Sequence, residues 1–195
     1  IAAISPARGL ASLNNRGSAT DSVADFFLTS ANGLPNDNVT CIVVDRDNDI
    51  WIGTESGIAI ILDPSNQTRQ GGVASYKPLS GVSVNAIAVD PLNQKWVATN
   101  LGAILLSRDG TQTLAQYNVE NTNGRIISDE IKDIAIDAKS GTVYFGTSNG
   151  LASLTTTAAQ PKESFDELLI SPNPYRIPNA VPLTIDGLVE NSKIK

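Results

Sequence analysis

One pattern occurs three times in this chain, and it restricts the possible fold more tightly than any other feature. Each copy is an apolar run, an Asp, a short polar turn, an aromatic residue, a small residue with Thr, and then a Gly. The copies read VTCIVVDRDNDIWIGTESGIAII at residues 39–61, VNAIAVDPLNQKWVATNLGAILL at 84–106 and IKDIAIDAKSGTVYFGTSNGLASL at 131–154. Asp45, Asp90 and Asp137 superpose, and so do Trp51, Trp96 and Tyr144, then Thr54, Thr99 and Thr147, then Gly57, Gly102 and Gly150.

The three glycines are 45 and 48 residues apart, the length of one four-stranded blade rather than of a helical or leucine-rich repeat. Residues 9–13 repeat residues 150–154 letter for letter (GLASL), so the chain is expected to begin inside an earlier blade whose first strand is absent. Within a copy, residues 39–44 are largely apolar on both faces, as expected of an inner strand packed between neighbouring blades. Residues 45–49 are turn formers whose short side chains bond nearby amides. Residues 50–54 and 58–62 predict the second and third strands, and more polar fourth strands are predicted at 73–77, 114–119 and 24–28, carrying Tyr76, Tyr117 and Phe26. The reading is all-β: a partial β-propeller of about three and a half four-stranded blades over residues 1–154. A ring typically needs 4 to 8 blades, so further blades or a partner are expected to cover the open inner faces.

After residue 154 the repeat stops. Residues 155–166 are small and polar, a linker by composition. Residues 167–195 hold a proline-punctuated turn at Ser171-Pro172-Asn173-Pro174 and then a period-two alternation around Asp186-Gly187. This predicts the beginning of a small antiparallel, immunoglobulin-like or sorting-type β-sandwich. An isolated hairpin is marginal in water, so more strands are expected downstream.

The chain has 195 residues and a net charge of −6, which disfavours binding to nucleic acid or anionic membrane surfaces. No run approaches the roughly 20 apolar residues of a membrane-spanning helix. Cys41 is the single cysteine, so no disulfide forms within the chain; in its apolar run it reads as a small buried side chain.

Histidine is absent, which removes Ser-His-Asp and Cys-His nucleophile systems and the common zinc sets. Asp129-Glu130, and Glu163 with Asp166 and Glu167, lie in polar connections, and adjacent strand residues point to opposite faces, so they are poor acid/base pairs. Asp45, Asp47 and Asp49 alternate like the opening of a calcium loop, but Ile50 and Ser56 stand where that loop needs Gly and a bidentate Glu. Trp51 and Trp96 share one repeat position and read as packing between blades rather than as sugar platforms, and Thr54, Thr99 and Thr147 read as hydrogen-bonders at a strand end. No catalytic, cofactor-binding or metal-binding residue is assigned, no cofactor is expected, and no ligand-binding residue is named.

Gly33-Leu34-Pro35-Asn36-Asp37-Asn38-Val39, then Ile42, Asp45 and Trp51-Ile52-Gly53-Thr54 with Gly57-Ile58, resemble the two-component-regulator propeller repeat. Ala98 and Val82-Ser83 in the second copy, and Tyr144 in the third, depart from that pattern. Ser171-Pro172-Asn173-Pro174 followed by Leu183-Thr184-Ile185-Asp186-Gly187-Leu188 resembles the C-terminal sorting domain of type IX secretion in Bacteroidetes. Together the resemblances imply a non-enzymatic, extracytoplasmic module at the cell surface, the outer membrane or the periplasm, assisting cargo attachment in type IX secretion. The implied partners are other secretion-complex proteins and anionic lipopolysaccharide or glycan. The alternative is the periplasmic glycan-sensing propeller of a hybrid two-component system, for which a membrane-spanning stretch would be expected downstream, and a third is an exported cargo propeller.

Overall fold

A computed structural model describes residues 2–5, 9–13, 24–62, 73–75, 79–160, 169–172, 182 and 184–186. The chain divides into two compact units, Ile1–Ala159 and Gln160–Lys195. The first is a partial β-propeller, and the described residues contain no α-helix.

Four antiparallel sheets follow one another in chain order. The first has three strands, β1 (Ala2–Ser5), β2 (Gly9–Leu13) and β3 (Ala24–Leu28), paired in that order. A single 3-10 turn, Ser30–Asn32, then leads into the second sheet. This is β4 (Val39–Val44), β5 (Ile50–Thr54), β6 (Gly57–Ile61) and β7 (Val73–Ser75), paired in chain order. The third sheet repeats that order with β8 (Val84–Val89), β9 (Lys95–Thr99), β10 (Gly102–Leu106) and β11 (Thr113–Tyr117). The fourth has β12 (Ile131–Asp137), β13 (Thr142–Thr147) and β14 (Gly150–Thr155). We number these sheets as blades one to four.

The fourth strands lie where the polar segments predicted them, although β11 stops at Tyr117 and Tyr76 and Lys77 lie outside the described residues. The segment read as linker differs at its start, because Thr155 still pairs with Thr142 as the last residue of β14.

Apolar layers between consecutive blades hold the unit together, and alternation along each strand divides the side chains between layers. Ile52, Ala59 and Ile61 of blade two pack with Leu28 of blade one. From the opposite face of blade two, Trp51, Ile58 and Ile60 pack against Val84, Ile87, Val97, Ile104 and Leu106 of blade three. Blade three in turn lays Trp96, Ala98 and Ala103 against Ile131, Ile134, Val143, Phe145 and Ala152 of blade four. Each buried Ile, Val or Leu in these layers contributes about 1.5–3 kcal/mol of transfer free energy.

The inner strands share one irregularity. Register shifts between Val39 and Cys41, between Val84 and Ala86, and between Ile131 and Asp133, leaving Thr40, Asn85 and Lys132 as the extra residue of a bulge at the start of each strand. A bulge turns its residue out of the ladder, and two of the three are used across a seam. The Thr40 hydroxyl donates to Val84 O at 2.6 Å, and Asn85 Nδ2 donates to Ile131 O at 2.6 Å.

In the second unit, β15 (Leu169–Ser171) pairs antiparallel with β16 (Thr184–Asp186). The sequence suggested a hairpin around Asp186-Gly187. The observed partner of residues 184–186 is instead the segment upstream, and residues 187–195 lie outside those described.

Candidate functional site

Two ends of the blades carry the polar groups. At one end, the turn from the second to the third strand of a blade meets the connections that enter that blade and the next. Thr54, Thr99 and Thr147 organise these turns identically. Each hydroxyl donates to the carbonyl of Gly57, Gly102 or Gly150 at 2.9, 2.7 and 2.8 Å, and accepts from the N–H two residues on.

The connections are bonded to these turns. Asn38 O accepts from Glu55 N, Ser56 O from Gly81 N, Asp129 O from Gly102 N, and Glu130 O from Ser148 N. Residues 118–130 form a loop hydrogen-bonded within itself. The Asn118 and Asn121 carboxamides accept from each other's backbone N–H at 2.8 and 2.9 Å, Thr122 donates to Asn118 O, and Asp129 Oδ1 accepts from Val119 N. Exposed amides and hydroxyls (Asn121, Ser148, Asn149) stand beside exposed Leu101, Val119, Ile127 and Leu151 on this end. Such a rim can hydrogen-bond and shed water from apolar surface without rearrangement, which suits binding.

The Asp129 and Glu130 carboxylates have separate partners. Asp129 caps the loop, and Glu130 pairs with Lys132. The Lys132 hydrogen bond and its charge hold the Glu130 carboxyl below its ordinary value. Glu163, Asp166 and Glu167 lie outside the described residues.

At the opposite end, the Asp that closes each inner strand organises the following turn. Asp45 Oδ1 accepts from Asp47 N and Asp49 N, and Asp90 Oδ1 accepts from Leu92 N and Gln94 N. Asp45 Oδ2 accepts the indole N–H of Trp51 at 3.1 Å and lies 2.6 Å from Lys95 Nζ on the next blade. Lys95 is fully buried, donates also to Asn93 O and Arg108 O, and sits 4.7 Å from the centre of the Trp51 ring. Outside this pair, Asp47 takes the Arg108 guanidinium, with Arg108 Nε at 2.9 Å, and Asn93 Nδ2 at 2.7 Å. The run Asp45-x-Asp47-x-Asp49 is therefore a clamp between blades: two of its carboxylates are already neutralised by cations of blade three. No cluster of three or more metal-ligating side chains occurs among the described residues.

Burial alone would raise the Asp45 carboxyl, but Lys95 and the Asp47 and Asp49 N–H groups outweigh it, and the net direction is down. The next seam lacks this cation. Val143 stands where Lys95 stood, and Asp90 Oδ2 and Trp96 Nε1, counterparts of the bonded Asp45–Trp51 pair, fall short of hydrogen-bond geometry. Burial dominates here and pushes the Asp90 carboxyl up. Both tryptophans are 1% exposed; Trp96 stacks on Tyr117 at 5.5 Å and meets Phe145 at 5.7 Å. Cys41 lies between Thr40 and Gly53, where burial raises its thiol above the ordinary value. Sequence reasoning missed Lys95. The available signal was that a Lys occupied a repeat position held elsewhere by Ile50 and Val143.

With this geometry in view, residues 33–56 match the family described as the two component regulator propeller. The chain carries a two component regulator propeller repeat. Over 95% of its length it is similar to PorZ, a surface component of the type IX secretion system of Porphyromonas gingivalis, at 29% identity and a TM-score of 0.69. The extracellular domain of a hybrid two component system from B. thetaiotaomicron matches 82% of the chain at 21% identity and a TM-score of 0.57. An ancestral GH74 enzyme matches 86% at 16% identity and 0.54. The latter two show the fold alone. The chain spans 27%, 19% and 23% of these three proteins, and no curated protein matches it. The repeat and the PorZ likeness support an extracytoplasmic propeller module, and no helix among the described residues is long and apolar enough to cross a membrane.

Proposed function

We propose that this chain is a non-enzymatic propeller module that works at the cell surface as PorZ does in type IX secretion, contributing a binding or assembly surface for cargo attachment. The likeness to PorZ carries this reading: at 95% coverage of the chain it extends past the propeller unit into the C-terminal unit. The chain's chemistry agrees. Without histidine, acid-base work would fall to carboxylates, lysines or tyrosines, and the described Asp45, Asp47 and Glu130 are tied up in ion pairs. The turn-end rim, with its fixed amides and exposed aliphatic side chains, is the surface on which partner proteins of the secretion complex, or the sugar hydroxyls of an anionic lipopolysaccharide, would bind.

The test is disruption of the encoding gene in its native host. Exported proteins with C-terminal sorting domains should then be released into the medium instead of staying on the cell. Unchanged attachment, with loss of a transcriptional response to a glycan, would replace this reading with that of a sensor.

A further inference from the structure

The connection from blade three to blade four, residues 118–130, is the longest of the three between consecutive blades, against 29–38 and 76–83. A short connection need only join two strands, whereas a longer one bonded into a single shape presents a surface. Asp129 sits at the centre of this one. Its carbonyl accepts from Gly102 N, beside Leu101, and its Oδ1 accepts from Val119 N at 2.7 Å. Ile127 stands two residues earlier, where a Cβ at Gly150 would lie 3.2 Å from its Cδ1 and its carbonyl accepts from Asn149 Nδ2. The backbones of Leu101, Val119 and Ile127 are thus gathered around one carboxylate, and these residues are 60%, 36% and 41% exposed. Ile126 anchors the loop in the closed seam between blades three and four, together with Ile131 and Phe145, and leaves its neighbour Ile127 outside.

Charge decides what this surface can take. Among the described connections and turns of this end, Asp37, Glu55, Glu120 and Asp129 stand outside the ion pairs against Arg125, while Glu130 and Lys132 cancel. Such an excess repels the phosphates or sugar acids of an anionic glycan, which also lacks apolar groups to cover the aliphatic residues. A polypeptide supplies both complements, Lys or Arg for the carboxylates and Leu, Ile or Val for the exposed aliphatic side chains.

We propose, on the reading of this chain as an assembly module, that the loop 118–130 with Leu101 is a docking surface for a partner protein that presents a basic side chain beside aliphatic ones. Of the two ligand classes named for the rim, this selects polypeptide over lipopolysaccharide. The basic group meets Asp129 and Glu120, and water expelled from the surrounding aliphatic side chains strengthens that attraction. The loop is held by its own hydrogen bonds before the partner arrives, so little ordering entropy opposes docking.

The test uses the full chain as the cell makes it, with random peptides displayed on phage and the host's purified anionic lipopolysaccharide as probes. Selected peptides should carry Lys or Arg beside Leu, Ile or Val. Their affinity should fall at least about tenfold with Leu101→Ser and with Glu120→Lys. It should stay unchanged with Leu92→Ser, a similarly exposed leucine in a turn at the opposite end. Where melting curves show Leu101→Ser unfolded, Val119→Ser takes its place. No enrichment, enriched peptides without a basic residue, equal affinity for Leu101→Ser and Leu92→Ser, or lipopolysaccharide binding that Leu101→Ser weakens would overturn the proposal. In the native host, release of cargo on gene disruption that is fully rescued by the gene carrying Leu101→Ser with Glu120→Lys would overturn this docking surface and leave the assembly reading intact. Cargo that stays attached after disruption would end that reading instead, and the peptide selection would still decide the surface.

Discussion

Lys95 Nζ lies 2.6 Å from Asp45 Oδ2 across a blade seam, both side chains almost fully buried, with the Trp51 ring 4.7 Å away. Breaking a buried pair leaves a charge with no compensation, whereas removing both members often costs little. Lys95→Met should therefore destabilise the protein by about 3–5 kcal/mol, and adding Asp45→Asn should recover part of that loss. Denaturant unfolding of the two variants decides it. A loss below about 1 kcal/mol for Lys95→Met would show that water reaches the seam.

Gly110 closes the same seam. Its φ is +69°, and a Cβ there would run into the Trp51 ring. Gly110→Ala should destabilise the protein through both strain and displacement of the indole, by more than the roughly 0.4–1 kcal/mol that a compatible Gly→Ala change gains. Gly124→Ala, where nothing lies within 4 Å and φ is +77°, separates the backbone part from the steric part. Equal losses in the two variants would remove the steric argument.

Asp90 predicts a pH dependence of the opposite sign to that of its neighbours. Its carboxyl is raised by burial, so the folded state holds the proton more tightly than the unfolded chain does. Its contribution is complete below the unfolded value and is lost as pH rises through the folded value. Asp45 is depressed and Asp109 is held down to about 2 by Ser107 and the turn at Thr111, so their contributions persist above the unfolded value and fade as pH falls through the folded one. Stability should rise as pH drops from neutral toward the ordinary carboxyl range and then decline. Melting curves of Asp90→Asn against pH should lack the first rise. If the variant keeps it, another group titrates.

Asp45, Asp47 and Glu130 are engaged in ion pairs and Asp129 in its own loop, so no polysaccharide should be turned over. Reducing-end assays should stay at background. Turnover that survives Asp129→Asn with Glu130→Gln would place catalytic acids elsewhere and end the non-enzymatic reading.

Much of the propeller could be read from the linear chain. The 45- and 48-residue spacings, the Asp-turn-Trp order and the Thr-x-x-Gly turn are local signals, because a β-strand, an Asx turn and a Thr-capped hairpin are specified by neighbouring residues. These signals placed the strands of blades two to four, and shared repeat position placed Trp51 and Trp96 in the core. Register was less legible: the segment at 184–186 pairs upstream with Leu169–Ser171 rather than around Asp186-Gly187, since the sequence names the strands of a sheet more readily than their partners.

The seams were decided by tertiary structure. Asp45 and Lys95 belong to different repeats, and nothing in either repeat marks the pair as buried. A lysine in a polar turn-strand junction reads as solvated until the next blade closes over it. The same packing gives Asp90 a valine where Asp45 has a lysine, so two carboxylates at one repeat position are driven in opposite directions. The residue type determined that a carboxylate would bind its own turn; which charge or methyl group met its second oxygen depended on the neighbouring blade, because electrostatic energy in a desolvated seam follows distance in space and not separation along the chain.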